Sequence, residues 1–149
     1  MPAGNAFQSD ILKLIFENTA LANLGNAGGL QPSSAAGDVY VALHTAAPLA
    51  SGDQTSNEIA YTGYARVAIS RASGSFTLSG GSPTDLSNAA AVSFPACTGG
   101  SGTATYFSIG FAASGASEMI VFGALTSSLA ISSGITPSFA IGQMTATCD

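Results

Sequence analysis

From Asp38 onward the chain repeats one pattern: short runs with an apolar residue at every second position, separated by breaks rich in glycine and serine. A period of two places successive side chains on opposite faces of an extended strand. Val39, Val41 and Leu43 alternate with Tyr40, Ala42 and His44, which predicts a half-buried strand ended by Pro48 and the polar run through Asn57. Tyr64 to Arg71 alternates again, with Ala65, Val67 and Ile69 on one face. Ser75 to Leu78 is expected to pair back on it as a hairpin through the Ser73-Gly74 turn. Further strands are expected at Ala91–Phe94, Thr105–Phe111, Met119–Leu125, Ser128–Ile131 and Ser138–Thr147, with breaks at Gly99 to Gly102, Ser114-Gly115 and Ser133-Gly134. Seven or eight strands at this spacing, without alternating strand–helix units, predict a mainly β fold. The expected architecture is an antiparallel, jelly-roll-like β-sandwich with one short N-terminal helix.

That helix is read before the alternation begins. Ser9 is the expected N-cap, with Asp10 in the first turn against the positive end of the helix dipole. Ile11, Leu12, Leu14, Ile15 and Phe16 give an apolar face at helical spacing, and Asn18 or Gly25 can adopt the left-handed cap that stops it. Gly25 to Gly37 reads as a loop. The expected organisation is a helix and Gly/Ser-rich loop over residues 1–37, a sandwich over residues 38–149, and one structural domain in all.

Charge narrows the function classes. Charged residues make up only 7% of the 149 residues, where an ordinary soluble domain carries roughly 25%. Interfaces between subunits are depleted of charge, so such a surface suits a protein that lives packed against copies or partners. Lys13, Arg66 and Arg71 are the whole cationic inventory, too little for the phosphate-neutralising track of a nucleic-acid binder. No apolar run approaches the roughly 20 residues that cross a bilayer as a helix. The start, MPAGNAFQSD, lacks the basic region and apolar stretch of a secretory signal. Synthesis in the cytoplasm, with Cys97 and Cys148 as free thiols, is the corresponding expectation.

The chain offers little for catalysis. Its one histidine, His44, sits inside a strand, and no G-x-S-x-G elbow presents a nucleophile. A hydrogen-bonded structural role is expected for it. The carboxylates are scattered, although an acid–base pair can be drawn from distant segments. The TGGSGT run at Thr98–Thr103 lacks the lysine and following helix of a phosphate-binding loop and is read as a turn using glycine's positive φ. No cofactor and no metal site is expected. Arg66 and Arg71 flank the second strand and are expected to be surface ion-pair partners of Glu58 or Asp53, or to anchor a neighbouring subunit. With Ile11, Leu14 and Ile15 of the helix they are the candidate subunit contacts.

Five stretches in order, SDILKLIFENTALANL, DVYVALHTAAP, NEIAYTGYARVAISRASGSF, VSFPACTGGSGTATYFSIGFAASG and FGALTSSLAISSGITPSF, resemble a family of small tailed-bacteriophage virion proteins. Members are described as tail-fibre proteins, and similar small jelly-roll proteins serve as head cement, or decoration, proteins. The resemblance runs from Ser9 to about Phe139 and is most specific at VALHTAAP (Val41–Pro48) and YTGYARVAI (Tyr61–Ile69). It attaches no catalytic residue to these motifs. It implies a non-enzymatic structural protein of the virion. The leading expectation is a cement protein on the outer head surface, with the major capsid protein and copies of itself, as dimer or trimer, for partners. The alternative is a tail-fibre or baseplate component acting in host attachment.

Overall fold

The structure, a computed structural model, describes residues 4–22, 24, 29–79 and 84–148. It contains one helix, α1 (Asn5–Phe16), and nine strands: β1 (Asp38–His44), β2 (Val67–Ser70), β3 (Phe76–Ser79), β4 (Thr84–Asn88), β5 (Val92–Ser93), β6 (Ser101–Gly110), β7 (Met119–Ser132), β8 (Ser138–Phe139) and β9 (Thr145–Cys148). Every pairing between named strands whose register is resolved is antiparallel. The mainly antiparallel β class read from the alternation is therefore the class of the fold. The chain forms two compact units, one from Met1–Asp38, Ser70–Ala90 and Ile141–Asp149, the other from Val39–Ile69 and Ala91–Ala140.

In the first unit α1 packs on the sheet β3-β4-β9. The helix begins earlier than its sequence suggests. Gly4, in extended backbone, is the N-cap and accepts the first helical bond from Gln8 N at 3.0 Å. Ser9 lies inside the helix, and no acid occupies the first turn, so Asp10 does not meet the dipole's end. Burial decides this boundary: Gln8, Leu12 and Phe16, spaced four apart, are all buried and line one face. Phe16 is fully enclosed and meets Phe76 edge-on with ring centroids 4.9 Å apart. Asn18 takes the left-handed conformation (φ 51°) expected of a stop, and its side chain both donates to Ser33 O and accepts from Ser33 N. Gly25, the other expected stop, lies outside the described residues. Asn88, buried, ties the chain after β8 back to β4 by donating its N–H to Met144 O and accepting from Met144 N and Gly142 N.

The expected β2–β3 hairpin does not form. The turn is present, with Gly74 at φ 87° and Ser75 N bonded to Ala72 O, but β2 pairs within the sheet of β1 while β3 pairs with β4. Turn chemistry bends the chain locally without choosing a strand's partner. β4 itself carries no clear alternation and is invisible in the sequence.

The second unit is a four-stranded sheet in the order β2-β1-β6-β7 with a two-stranded ribbon, β5-β8, against it. Val41 and Leu43 of β1 stand opposite Ile109 and Phe107 of β6, so these four share one face. Phe107 of the sheet meets Phe139 of the ribbon at 6.0 Å, and Phe139 meets Phe94 at 6.2 Å. Ala42, His44 and Ser108 lie on the opposite face and are equally buried. β1 is thus covered on both sides, not half-buried, because the segment after Pro48 folds over its second face. The two strands expected at Met119–Leu125 and Ser128–Ile131 are one, β7, interrupted by a bulge: Leu125 to Ser128 all stand opposite Thr105 alone. Tyr61, Phe94, Phe107 and Phe139 are buried in this unit, whereas Phe111 and Phe122 are exposed.

Candidate functional site

The polar face of the second unit holds the most concentrated chemistry among the described residues. β1 contributes His44, β6 contributes Ser108, the segment between β1 and β2 contributes Gln54, Ser56, Glu58 and Tyr64, and Arg66 stands just before β2. Gly63 (φ 98°) permits the tight turn from Tyr61 O to Tyr64 N that aims Tyr64 inward.

Arg66 is the hub. Its guanidinium forks onto Glu58, with Nε to Oε1 at 2.7 Å and Nη2 to Oε2 at 2.8 Å. Nη1 donates to Gln54 Oε1 and to Ala112 O, and Nη2 donates also to Gly115 O at 2.9 Å. All five N–H donors of the side chain are therefore used inside its own unit. The Glu58 bonds hold the guanidinium's pKa above its ordinary value, against the opposing effect of burial. Tyr64 donates its hydroxyl to Glu58 Oε1 at 2.9 Å and accepts from Leu43 N, and burial raises its pKa.

The partners fix the tautomer of His44. Nδ1 lies 2.8 Å from the carbonyl of Ser56, which can only accept, so Nδ1 carries the hydrogen. Nε2, 2.8 Å from Ser108 Oγ, then accepts from that hydroxyl. Ser108 in turn accepts a long bond of 3.4 Å from Gln54 Nε2, which also donates to Tyr40 O. Desolvation depresses the imidazole's pKa, partly offset by the Ser56 bond and by Glu58.

Hydroxyl on imidazole at this distance is the first half of a nucleophile–base pair. The third group differs: a backbone carbonyl, not a carboxylate, orients the ring, and Glu58 is spent on Arg66. His44 and Ser108 are both 0% exposed, so a substrate has no approach to them. The geometry matches the hydrogen-bonded structural role expected for His44. It also places Arg66 on Glu58, one of the two acids expected, but the pair is buried instead of lying at the surface. Gln54, Tyr64 and Ser108 carry no sequence signal of their own, because their roles depend on segments that only the fold brings together.

The other candidates lie in the first unit. Arg71 caps the C-terminus of α1, with Nη2 on Leu14 O at 2.9 Å, Nε on Ile15 O and Nη1 on Ala36 O. Ile11, Leu14 and Ile15 are half-buried on the helix, beside the enclosed Leu12 and Phe16. In the second unit, Cys97 is a buried free thiol donating toward Gly99 O at 3.3 Å. Among the described residues no cluster of His, Cys, Asp or Glu could hold a metal, and no helix is long and apolar enough to cross a membrane.

Gly110 shows how tightly the network is packed. A Cβ there would collide with the Gln54 amide and with Glu118 O. Gly110→Ala is therefore expected to displace Gln54 and cost about 1–3 kcal/mol, measured as a lower urea midpoint. An unchanged midpoint would show that Gln54 is not held where it stands.

Residues 3–147 match the family model described as Podophage GP4 fiber I protein gp80. No curated protein matches the chain.

Proposed function

The chain belongs to the Podophage GP4 fiber I protein gp80 family, and from that membership we propose that it is a non-enzymatic structural subunit of a phage particle. One observation carries the non-enzymatic part: each chemically capable side chain of the polar cluster is buried or half-buried and bound to another. His44, Ser108, Glu58, Tyr64 and Arg66 saturate one another and fasten loops to the sheet. A site with this chemistry stiffens a domain and leaves no group poised for substrate.

Two addresses on the particle are supported by different observations. The family's description names a fibre, which supports a place in the tail fibres or baseplate. The charge-poor surface supports the other, a decoration protein seated on the outer head through the major capsid protein and its own copies. There, small apolar contacts, at roughly 25 cal/mol per Å² of buried surface, would accumulate over many equivalent sites.

Copy number and position on purified particles test this reading. Electron microscopy with a label on this chain should place it either at symmetry-related positions on the head or in few copies at the tail. Particles assembled without it, or an envelope-degrading activity abolished by Ser108→Ala in an intact fold, would overturn the proposal.

A further inference from the structure

The polar cluster does more than stiffen the sheet. The segment from Leu49 to Ser56 covers His44 and Ser108 and is held in its middle by few bonds: Ser56 O to His44, the Gln54 side chain to Tyr40 O, Ser108 and Arg66, and Gln54 N to Ser117 O. Its ends are pinned separately by Thr45 N on Asn57 O and Ile59 N on Leu43 O. At its start Leu49 is 63% exposed and sits at φ 63°, a conformation that a bulky side chain rarely adopts and that stores strain.

We propose that His44 is an acid-operated latch: a second proton on its ring breaks the hydrogen-bond chain and frees Leu49–Ser56 from the sheet while the strands stay folded.

Hydrogen-bond direction drives the step. With Nδ1–H committed to Ser56 O, the incoming proton binds Nε2, where the Ser108 hydroxyl was donating. Two hydrogens then face each other, and the hydroxyl must turn away. Ser108 has no exposure to water, and Gln54 turns its Nε2 donor, not its oxygen, toward Ser108. Accommodating the turned hydroxyl by rotating the Gln54 amide breaks its bonds to Tyr40 O and Arg66. That rotation dismantles the fastening of the segment. The charged groups that face His44 are Glu58, which favours the imidazolium, and Arg66, which opposes it. Glu58 is engaged by Arg66 and by the neutral Tyr64 hydroxyl. On the segment itself, Asp53 is tied to Thr55 N and Oγ1.

The sign follows from burial. The folded state holds the imidazole below its ordinary 6.5, so the closed segment is fully favoured above that pH and loses ground as pH falls through the lowered value. Between 6.5 and the lowered value, where the open segment binds one proton more than the closed one, the opening constant should rise by up to about tenfold per pH unit, and it levels off below the lowered value.

The chain has one histidine, so its ring signals in an NMR titration of the full protein are unambiguous. Hydrogen exchange, corrected for the intrinsic pH dependence, should show Leu49–Ser56 losing protection in step with that titration while β6 amides stay protected. In His44→Gln this acid response should vanish. His44 titrating without opening the segment overturns the latch. So does an equal response in His44→Gln, or loss of protection in β6 at the same pH. Should His44→Gln fail to fold, Ser108→Ala is the second variant: it removes the opposing hydroxyl hydrogen and should raise the histidine's pKa and weaken the opening.

Discussion

Arg66→Ala is expected to destabilise the second unit by about 3 kcal/mol, toward the lower end of the 3–5 kcal/mol typical when one partner of a buried pair is removed. The Arg66 side chain is 1% exposed and its partner Glu58 18%. Removing it strands Glu58 with only the Tyr64 hydroxyl, and strips Ala112 O, Gly115 O and Gln54 Oε1 of their donor. Residual water at Glu58 keeps the loss from reaching the upper figure. Arg66→Lys keeps the charge but not the planar fork, so it should cost less than alanine and more than nothing. Replacing both partners, Arg66→Met with Glu58→Leu, should cost less than Arg66→Ala alone, because no charge is left buried and unpaired. All four tyrosines, Tyr40, Tyr61, Tyr64 and Tyr106, fall in the second unit, and there is no tryptophan. Tyrosine fluorescence during urea unfolding therefore reads this unit alone. A midpoint for Arg66→Ala equal to that of the unaltered protein would show the hub to be ornamental.

The second large effect belongs to the first unit. Phe16→Ala should cost about 3–5 kcal/mol, the range for emptying a buried phenylalanine site. Phe16 is 0% exposed, closes the line of Gln8 and Leu12, and is braced by Phe76. The helix is too short to persist alone, so its docking residue decides whether it forms. Helical circular dichroism reads this directly, since α1 is the one helix among the described residues. The helical signal of Phe16→Ala should fade at lower urea than in the unaltered chain. Ile11→Ala, at a half-buried position on the same helix, should cost clearly less. Equal losses at the two positions would mean that α1 is not anchored through Phe16.

These effects also show where the sequence was legible. Period-two alternation located β1 and β6 to within a few residues, and Pro48, Gly63 and Asn18 performed the local tasks their chemistry suits. The scarcity of cations suggests an acidic partner for Arg66 at the surface, Glu58 or Asp53; that the partner is Glu58 and that the pair is buried was decided by the fold. Ser108 and Gln54 were not readable at all. A serine on a strand and a glutamine in a polar loop look alike in thousands of surfaces, and their roles arise only where β6 passes β1.

What the residues determined by themselves is local: a short apolar helix, strands of period two, turns at glycine, and a chain poor in charge. These follow from backbone sterics and from the spacing of apolar side chains, which act over a few residues. What only the tertiary structure decided is partnership. β3 left its sequence neighbour β2 for β4, Arg71 went to the end of α1, and the second face of β1 was sealed by the segment after Pro48. Those choices turn on which surfaces lose water together and which buried polar atoms find acceptors, and neither condition is local to any stretch of sequence.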